Sequence, residues 1–347
     1  GTNILRLQPR QDHMNTSPYL RKTTAVSTVM LRVLIALLPA IGAYVWQFGA
    51  AILVQLAITT ATALLAEAAM LAARGKPGKL YLTDLSAVVT AWLIALSFSP
   101  ITPWWLMVTA TLVAIVIAKH LYGGLGQNPF NPAMVAFCTM IVAFPALMSQ
   151  WPGAGQLDFH TQLELILGGA RQLDAITSAT PLDALRTGLR EGGANVTVGA
   201  LMEGPAFGAM GGAGWEWIAL GYLVGGLFLL QQRIITWHMP AAFLFALAVT
   251  ALLMWGMRPD RFGSPLFHLA SGGTMLAAFF IVTDPVSGAT TPKGKLIFAA
   301  GIGALTYVIR SFGAYPDGIA FSVLLLNICV PLIDMQTQPP VFGHKQD

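Results

Sequence analysis

The sequence predicts an all-α polytopic membrane protein of about ten transmembrane helices, arranged as two five-helix repeats of inverted topology. Three observations carry this. The 347 residues are 55% hydrophobic and only 10% charged, where soluble domains carry roughly 25% charged residues. The mean hydropathy of +0.67 is more apolar surface than a globule in water can hide, so the solvent is lipid. The apolar residues fall into runs of about span length, and two stretches recur at nearly one spacing. The net charge of +4 comes from scattered basic residues, which suit membrane topology and not nucleic acid.

Residues 1–22 are polar and carry Arg6, Arg10, Arg21 and Lys22. The apolar stretch after them is too long for a signal core, so this segment reads as a cytoplasmic anchor and not a cleavable leader. Apolar runs near 24–46, 47–72, 82–98, 102–119 and 132–149 make a first five-helix unit, 23–149. A polar loop spans 150–212. Runs at 213–232, 239–257, 265–283, 295–311 and 318–334 make the second unit, 213–335, before a tail at 336–347. Several runs fall short of the roughly 20 residues of a straight span, which predicts broken or tilted helices.

All seven lysines (Lys22, Lys76, Lys79, Lys119, Lys293, Lys295 and Lys345) fall on one side of this ten-span scheme. The other side keeps only arginines: Arg171, Arg186, Arg190, Arg258, Arg261 and Arg310. The positive-inside bias then makes both termini cytoplasmic and the 150–212 loop external.

Ser86–Pro100 aligns with Ser271–Pro285 at an offset of 185, and Gly126–Ala133 with Gly313–Ala320 at 187. A duplicated unit with an odd number of spans inverts its copy, and such repeats place sites at the interface between halves. The same architecture resembles urea and ammonium channels, which keeps open a channel or transporter for a small neutral solute. A passive scaffold anchoring redox subunits is a further rival.

Within the polar loop, Asp174-Ala-Ile-Thr177-Ser178-Ala179-Thr180 precedes Pro181-Leu182-Asp183. Thr180 at N-cap, Pro at N1 and an acid in the first turn make a helix start. Two readings stand on these letters: a plain cap, or a hydroxyl that holds a phosphate at a helix N-terminus. A second segment, Lys119-His120-Leu-Tyr-Gly123-Gly124-Leu-Gly126-Gln127-Asn128-Pro129-Phe130-Asn131-Pro132, cannot continue as helix through two Asn–Pro steps and three glycines. It is either a plain loop or a cavity lining whose amides meet a heterocycle edge. Its glycine spacing is wrong for a P-loop.

Asp-x-x-[Ser/Thr]-x-Ala-Thr resembles the motif at which a flavin transferase esterifies flavin mononucleotide (FMN) to threonine. Gly123–Ala133, Phe279-Phe-Ile-Val-Thr-Asp-Pro285 and Arg310–Phe321 resemble the D subunits of Rnf electron-transport complexes, relatives of the B subunits of sodium-pumping NADH:quinone oxidoreductases. The likeness runs from Ser17-Pro18-Tyr19 to Phe342-Gly343-His344. It implies covalent FMN on Thr180, within a motif formed by Asp174, Thr177, Ser178 and Ala179. Ser178 departs from the glycine of many such motifs. A second, noncovalent flavin, riboflavin, is implied near Asn128 and Asn131, with Gly124 and Gly126 allowing close approach. The resemblance further implies a bacterial inner membrane protein with a periplasmic flavin loop. Its electrons would pass between an extracytoplasmic flavin-bearing subunit and cytoplasmic subunits facing NAD and ferredoxin. Ferredoxin:NAD⁺ oxidoreduction would drive Na⁺ or H⁺ movement. Asp284-Pro-Val-Ser287-Gly288-Ala289-Thr290 fits the flavinylation pattern more cleanly. Thr290, however, lies beside Lys293 and Lys295 on the predicted cytoplasmic face, where an external transferase cannot reach it.

Glu67, Asp84, Lys119, Asp284 and Asp334 sit in or beside apolar runs. Ionisable groups at membrane depth are costly and often functional, so Glu67, Asp84 and Asp284 are candidates for coupled ion movement. Cys138 and Cys329 lack any partner at metal-ligand spacing and read as small buried residues. Trp104, Trp105, Trp151, Trp215 and Trp217 fall at span ends and read as an aromatic belt.

Overall fold

The computed structural model describes residues 25–155, 157–168, 177–315 and 317–338. It is a helical bundle. Val26–Phe48, Ala51–Ala73, His238–Met257, Pro292–Phe312 and Ile319–Thr337 are long and apolar enough to cross a membrane. Four shorter apolar helices accompany them: Ser86–Ser97, Trp104–His120, Pro132–Ala143 and Trp215–Gln231. Each coincides with one predicted run. Leu38, Trp46, Leu65, Phe245, Leu253, Ile328 and Leu332 point outward, as helices dissolved in lipid require. The chain is a multi-pass membrane protein.

The run at 265–283 is not one helix, as the apolar pattern predicts. Pro265–Ala270 ends, Ser271–Gly273 turns, and Thr274–Leu276 begins a second helix that passes into π-helical Ala277–Ile281. Gly272 is the cause. Its φ is +62°, and a Cβ there would sit 2.7 Å from Leu182 and 2.9 Å from Asp317. A side chain would meet both the backbone strain and the neighbours. The Trp104–His120 helix also becomes π-helical, over Val113–His120. Such segments mark places where helical packing serves something other than the helix.

Packing joins the two halves. Val26–Phe48 lies along Trp215–Gln231, and Pro132–Ala143 meets Ile319–Thr337. The first contact is close because Gly221 and Gly225 face the backbone of Ala40 and Ala36. A Cβ on Gly221 would come within 2.6 Å of the Ala40 Cα. Small residues four apart let membrane helices approach where no hydrophobic effect draws them together.

The polar loop is not irregular throughout. Phe159–Leu167, Pro181–Glu191 and Val198–Met202 are helices, and Trp151–Pro152 pairs antiparallel with Thr177–Ser178. That two-stranded pairing departs from a purely α prediction. Leu182, Leu185 and Val198 form a small core with Phe267, which fastens the loop onto the bundle. Cys138 is buried as expected, but Cys329 is exposed. It sits on Ile319–Thr337 near Ile328 and Leu332, a helix face that lipid suffices to cover.

Candidate functional site

Two cavities open at opposite ends of the bundle. The helix Ser86–Ser97 contributes Ser97 to one and Ser86 to the other. Eleven residue steps separate those ends by roughly 16 Å.

The first cavity encloses about 890 Å³, counting its open mouth. Thr180, Pro181 and Leu182 form part of its rim. The strand pairing sets Ser178 opposite Trp151, which brings Thr180 over the aromatic wall. Thr180 caps the helix Pro181–Glu191: Asp183 N–H donates to its Oγ1 at 3.2 Å. It is half-buried; Ser178 is also half-buried and Ala179 exposed, and neither lines the cavity. For Thr177 only its backbone, paired with Pro152, is described. Asp174 lies outside the described residues.

The walls are aromatic and apolar. Trp151 and Trp215 stand 5.0 Å apart, Trp215 also meets Tyr44 and Phe48, and Tyr222 packs on Phe280. Trp215 is buried, so it leaves the membrane belt that its place in the sequence suggests. Trp104, Trp105 and Trp217 are exposed, as a belt requires. Asp317 is an acid in this wall. Arg310 holds it with two contacts, Nε to Oδ1 at 3.1 Å and Nη2 to Oδ2 at 3.2 Å. Gly273 N–H donates to the same Oδ2 at 3.3 Å.

The second cavity spans about 940 Å³, open mouth included, and its walls include Asn128, Asn131, Lys119, Ser86, Thr283 and Asp284. Gly124 and Gly126 do not line it. They shape the loop instead: Gly123, Gly124 and Gly126 have φ of +121°, +98° and +83°, a region side chains rarely adopt. Asn131 caps Pro132–Ala143 through Met134 N–H at 3.2 Å. Its Nδ2 reaches Asp284 Oδ2 at 3.4 Å and its N–H donates to Asn327 Oδ1 at 3.3 Å. Asn128 Nδ2 donates to Phe130 O at 2.9 Å. Asp284 receives Val286 N–H at 3.0 Å and Ser287 Oγ at 2.7 Å, with no cation paired to it among the described residues.

Beside this cavity runs a buried ionic chain. Lys119 Nζ lies 3.0 and 2.9 Å from the Glu67 oxygens and donates to Ser86 Oγ at 2.9 Å. Ser86 Oγ donates in turn to Asp84 Oδ1 at 2.6 Å. His120 Nε2 is 3.0 Å from Glu67 Oε2 but off line for a hydrogen bond. Arg74 approaches His120 Nδ1 at 3.2 Å and donates to Gly123 O at 2.8 Å. A guanidinium only donates, so Nδ1 accepts and the proton of a neutral ring sits on Nε2, the nitrogen nearer Glu67. Glu67, Lys119 and His120 are all buried. The sequence offered Glu67 and Lys119 singly; nothing in the letters joins them across 52 residues.

Thr290 sits at the Asp284 end, away from Thr180. Its Oγ1 donates to Asp334 Oδ2 at 2.9 Å, and its N–H reaches both Asp334 oxygens.

A multi-pass helical protein with a cavity at each end, one under a capped threonine and one beside an ion-pair chain, is the class these observations define. The family model for NQR2, RnfD and RnfE matches residues 13–343, and the chain belongs to that family. The D subunit of the ion-translocating oxidoreductase complex of Aeromonas hydrophila is 48% identical over 347 aligned residues, 95% of this chain and 98% of the relative. Proteins of the same description from Pseudomonas aeruginosa (49%, covering 95% of this chain and 96% of theirs) and Aliivibrio salmonicida (46%, covering 96% and 99%) are similar throughout.

Proposed function

We propose that this chain is a membrane subunit of an Rnf-type ion-translocating oxidoreductase complex and carries electrons across the bilayer. In this reading Thr180 holds FMN through a phosphodiester, and the second cavity holds a noncovalent flavin, riboflavin. The redox reaction is that of ferredoxin with NAD⁺, and the coupled ion is Na⁺ or H⁺. Partners are an extracytoplasmic flavin-bearing subunit, cytoplasmic subunits facing NAD and ferredoxin, and a flavin transferase. The setting is a bacterial inner membrane, with both termini cytoplasmic and the 150–212 loop periplasmic.

One observation carries the reading. The two segments that the sequence marks, around Thr180 and around Asn128 and Asn131, each line a large cavity, and the cavities lie at opposite ends of the same helices. The residues suit the groups. Trp151, Trp215, Tyr44 and Tyr222 offer an apolar aromatic cleft for a planar ring, while Thr180 presents a hydroxyl at the N-terminus of an eleven-residue helix, where a phosphate is favoured. Asn128 leaves its amide oxygen without a hydrogen bond among the described residues. Bound flavin supplies the redox chemistry; the chain supplies position and field.

The inverted repeat gains support at an offset of 187. Ala51 and His238 begin helices, Pro132 and Ile319 begin helices, and Leu85 and Gly272 share a left-handed backbone, at φ +64° and +62°, just before the third helix of each half. Ten spans in two inverted units account for these coincidences.

The test is chemical. Protein made with the transferase present should fluoresce as a band in a denaturing gel. Thr180→Val should abolish that band and Thr290→Val should keep it. A fluorescent Thr180→Val band, or an unmodified intact mass for the parent protein, overturns the assignment. Flavin released by denaturation should fall in Asn128→Leu, while the covalent band stays.

A further inference from the structure

A third cavity lies at the Thr180 end of the bundle, between the helix Pro181–Glu191, the turn after His238–Met257 and the end of Pro292–Phe312. It spans about 810 Å³, open mouth included. Among the described residues its lining contains five arginines, Arg186, Arg190, Arg258, Arg261 and Arg310, and no carboxylate.

Arg310 is neutralised by Asp317, and Arg186 by Asp183 at 2.8 Å. The remaining three guanidiniums meet no carboxylate among the described residues. Among the described residues Arg190 donates to the carbonyls of Phe312 and Gly313, and Arg261 to those of Gly193 and Val196. The Arg258 guanidinium has no partner there at all. Carbonyls hold Arg190 and Arg261 in place but cancel no charge.

A second observation points the same way. His268 lines the cavity and is 4% exposed, yet its Nδ1 is buried without a hydrogen-bond partner among the described residues, as is Arg186 Nε. Buried polar atoms without partners are rare and call for a missing one. Three uncompensated guanidiniums and two orphaned nitrogens around one space describe a seat for an oxyanion, which guanidiniums bind through paired, charge-assisted hydrogen bonds.

We infer that this cleft binds a phosphate-class oxyanion, either free or as the headgroup of an anionic phospholipid in the leaflet at the Thr180 end. Leu185, Leu189 and Phe262 complete the wall, and they give a lipid's glycerol and acyl carbons somewhere to lie. The site is separate from the cavity under Thr180: Thr180 does not line it, and Leu182 is the residue common to both linings. The inference therefore stands whether or not Thr180 carries a flavin.

The purified chain would be offered two probes, inorganic phosphate in detergent and phosphatidylglycerol in nanodiscs, with phosphatidylcholine nanodiscs as the blank. Native mass spectrometry or equilibrium dialysis reads occupancy. Arg258→Gln removes a side chain on which no other described residue depends. It should weaken binding roughly tenfold, the worth of one charge-assisted contact, and Arg190→Gln with Arg261→Gln should weaken it further. Lys293→Gln, an exposed lysine at the opposite end, should leave it unchanged. Phosphate binding identifies a free anion; phosphatidylglycerol without phosphate identifies a headgroup. Binding of neither probe, or variants that bind as the parent does, overturns the site. So does binding to the isolated chain that vanishes in the assembled complex, because an acidic partner segment would then be the resident.

Discussion

The cavities at Thr180 and at Asn128 share helices but not chemistry. Ser97 and Tyr44 face the first, beside tryptophans; Ser86 and Lys119 face the second, beside acids and amides. At the Thr180 end the wall acid Asp317 is held by Arg310 and by the backbone N–H groups of Gly273 and Ile319. At the Asn128 end Lys119, Glu67, Ser86 and Asp84 form a continuous polar chain with Lys119 and Glu67 almost fully buried. The difference teaches where each end keeps its rigidity. Aromatic packing makes most of the first cavity's wall, with one partly exposed ion pair in it, whereas the second depends on every member of a chain being present, since a buried charge that loses its partner is costly.

That contrast predicts a graded response. The largest effect should come from Lys119→Met, which leaves Glu67 buried without a cation: about 3–5 kcal/mol of stability, read by unfolding in detergent mixtures. Adding Glu67→Leu should recover much of the loss. If the single variant is as stable as the parent, the chain is not what holds that end. Arg310→Met should cost less, about 2 kcal/mol, because Asp317 is 24% exposed and water can replace part of the lost pair. An Arg310 effect equal to that of Lys119 would erase the contrast.

Thr180→Ala should cost only about 1 kcal/mol, the worth of a helix cap, and should leave the bundle intact. The loss should appear as faster amide exchange in the first turn after Thr180. A collapse of the whole fold would mean that Thr180 is structural first. The smallest effect concerns the loop helix Phe159–Leu167. Its cap Asp158 accepts from Thr161 Oγ1 at 2.6 Å and from the N–H groups of His160 and Thr161. The Thr161 hydroxyl bond above all, with those backbone bonds, holds the Asp158 carboxyl below its ordinary range. A depressed carboxylate contributes at neutral pH and is lost as pH falls through its lowered value. Protection of the His160 and Thr161 amides should therefore fade only in acid, below the usual aspartate range, while the Asn128 end is unchanged.

Much of the bundle was legible because lipid imposes a simple rule: a span must be apolar along its length, and runs of hydrophobic letters report that directly. The Thr180 cap was legible because Pro181 and Asp183 are local signals. The break at Ser271–Gly273 was not, because a Gly-Gly pair is common within membrane helices and only the approach of Leu182 and Asp317 explains this one. Trp215 reads like a belt residue until Tyr44, Phe48 and Trp151 surround it. The arginine cleft was legible only in part: Arg186, Arg190, Arg258, Arg261 and Arg310 all fall on the predicted external side, but nothing along the chain says that they converge.

The sequence by itself determined that the chain lives in a membrane, where its membrane helices run, and which two segments depart from plain span or loop, because composition, periodicity and capping are local quantities. Only the tertiary structure decided that each of those segments borders a cavity, that Lys119 pairs with Glu67, and that the arginines of three separate elements converge. These are consequences of helix packing, which brings together residues whose separation along the chain carries no trace of their distance in space.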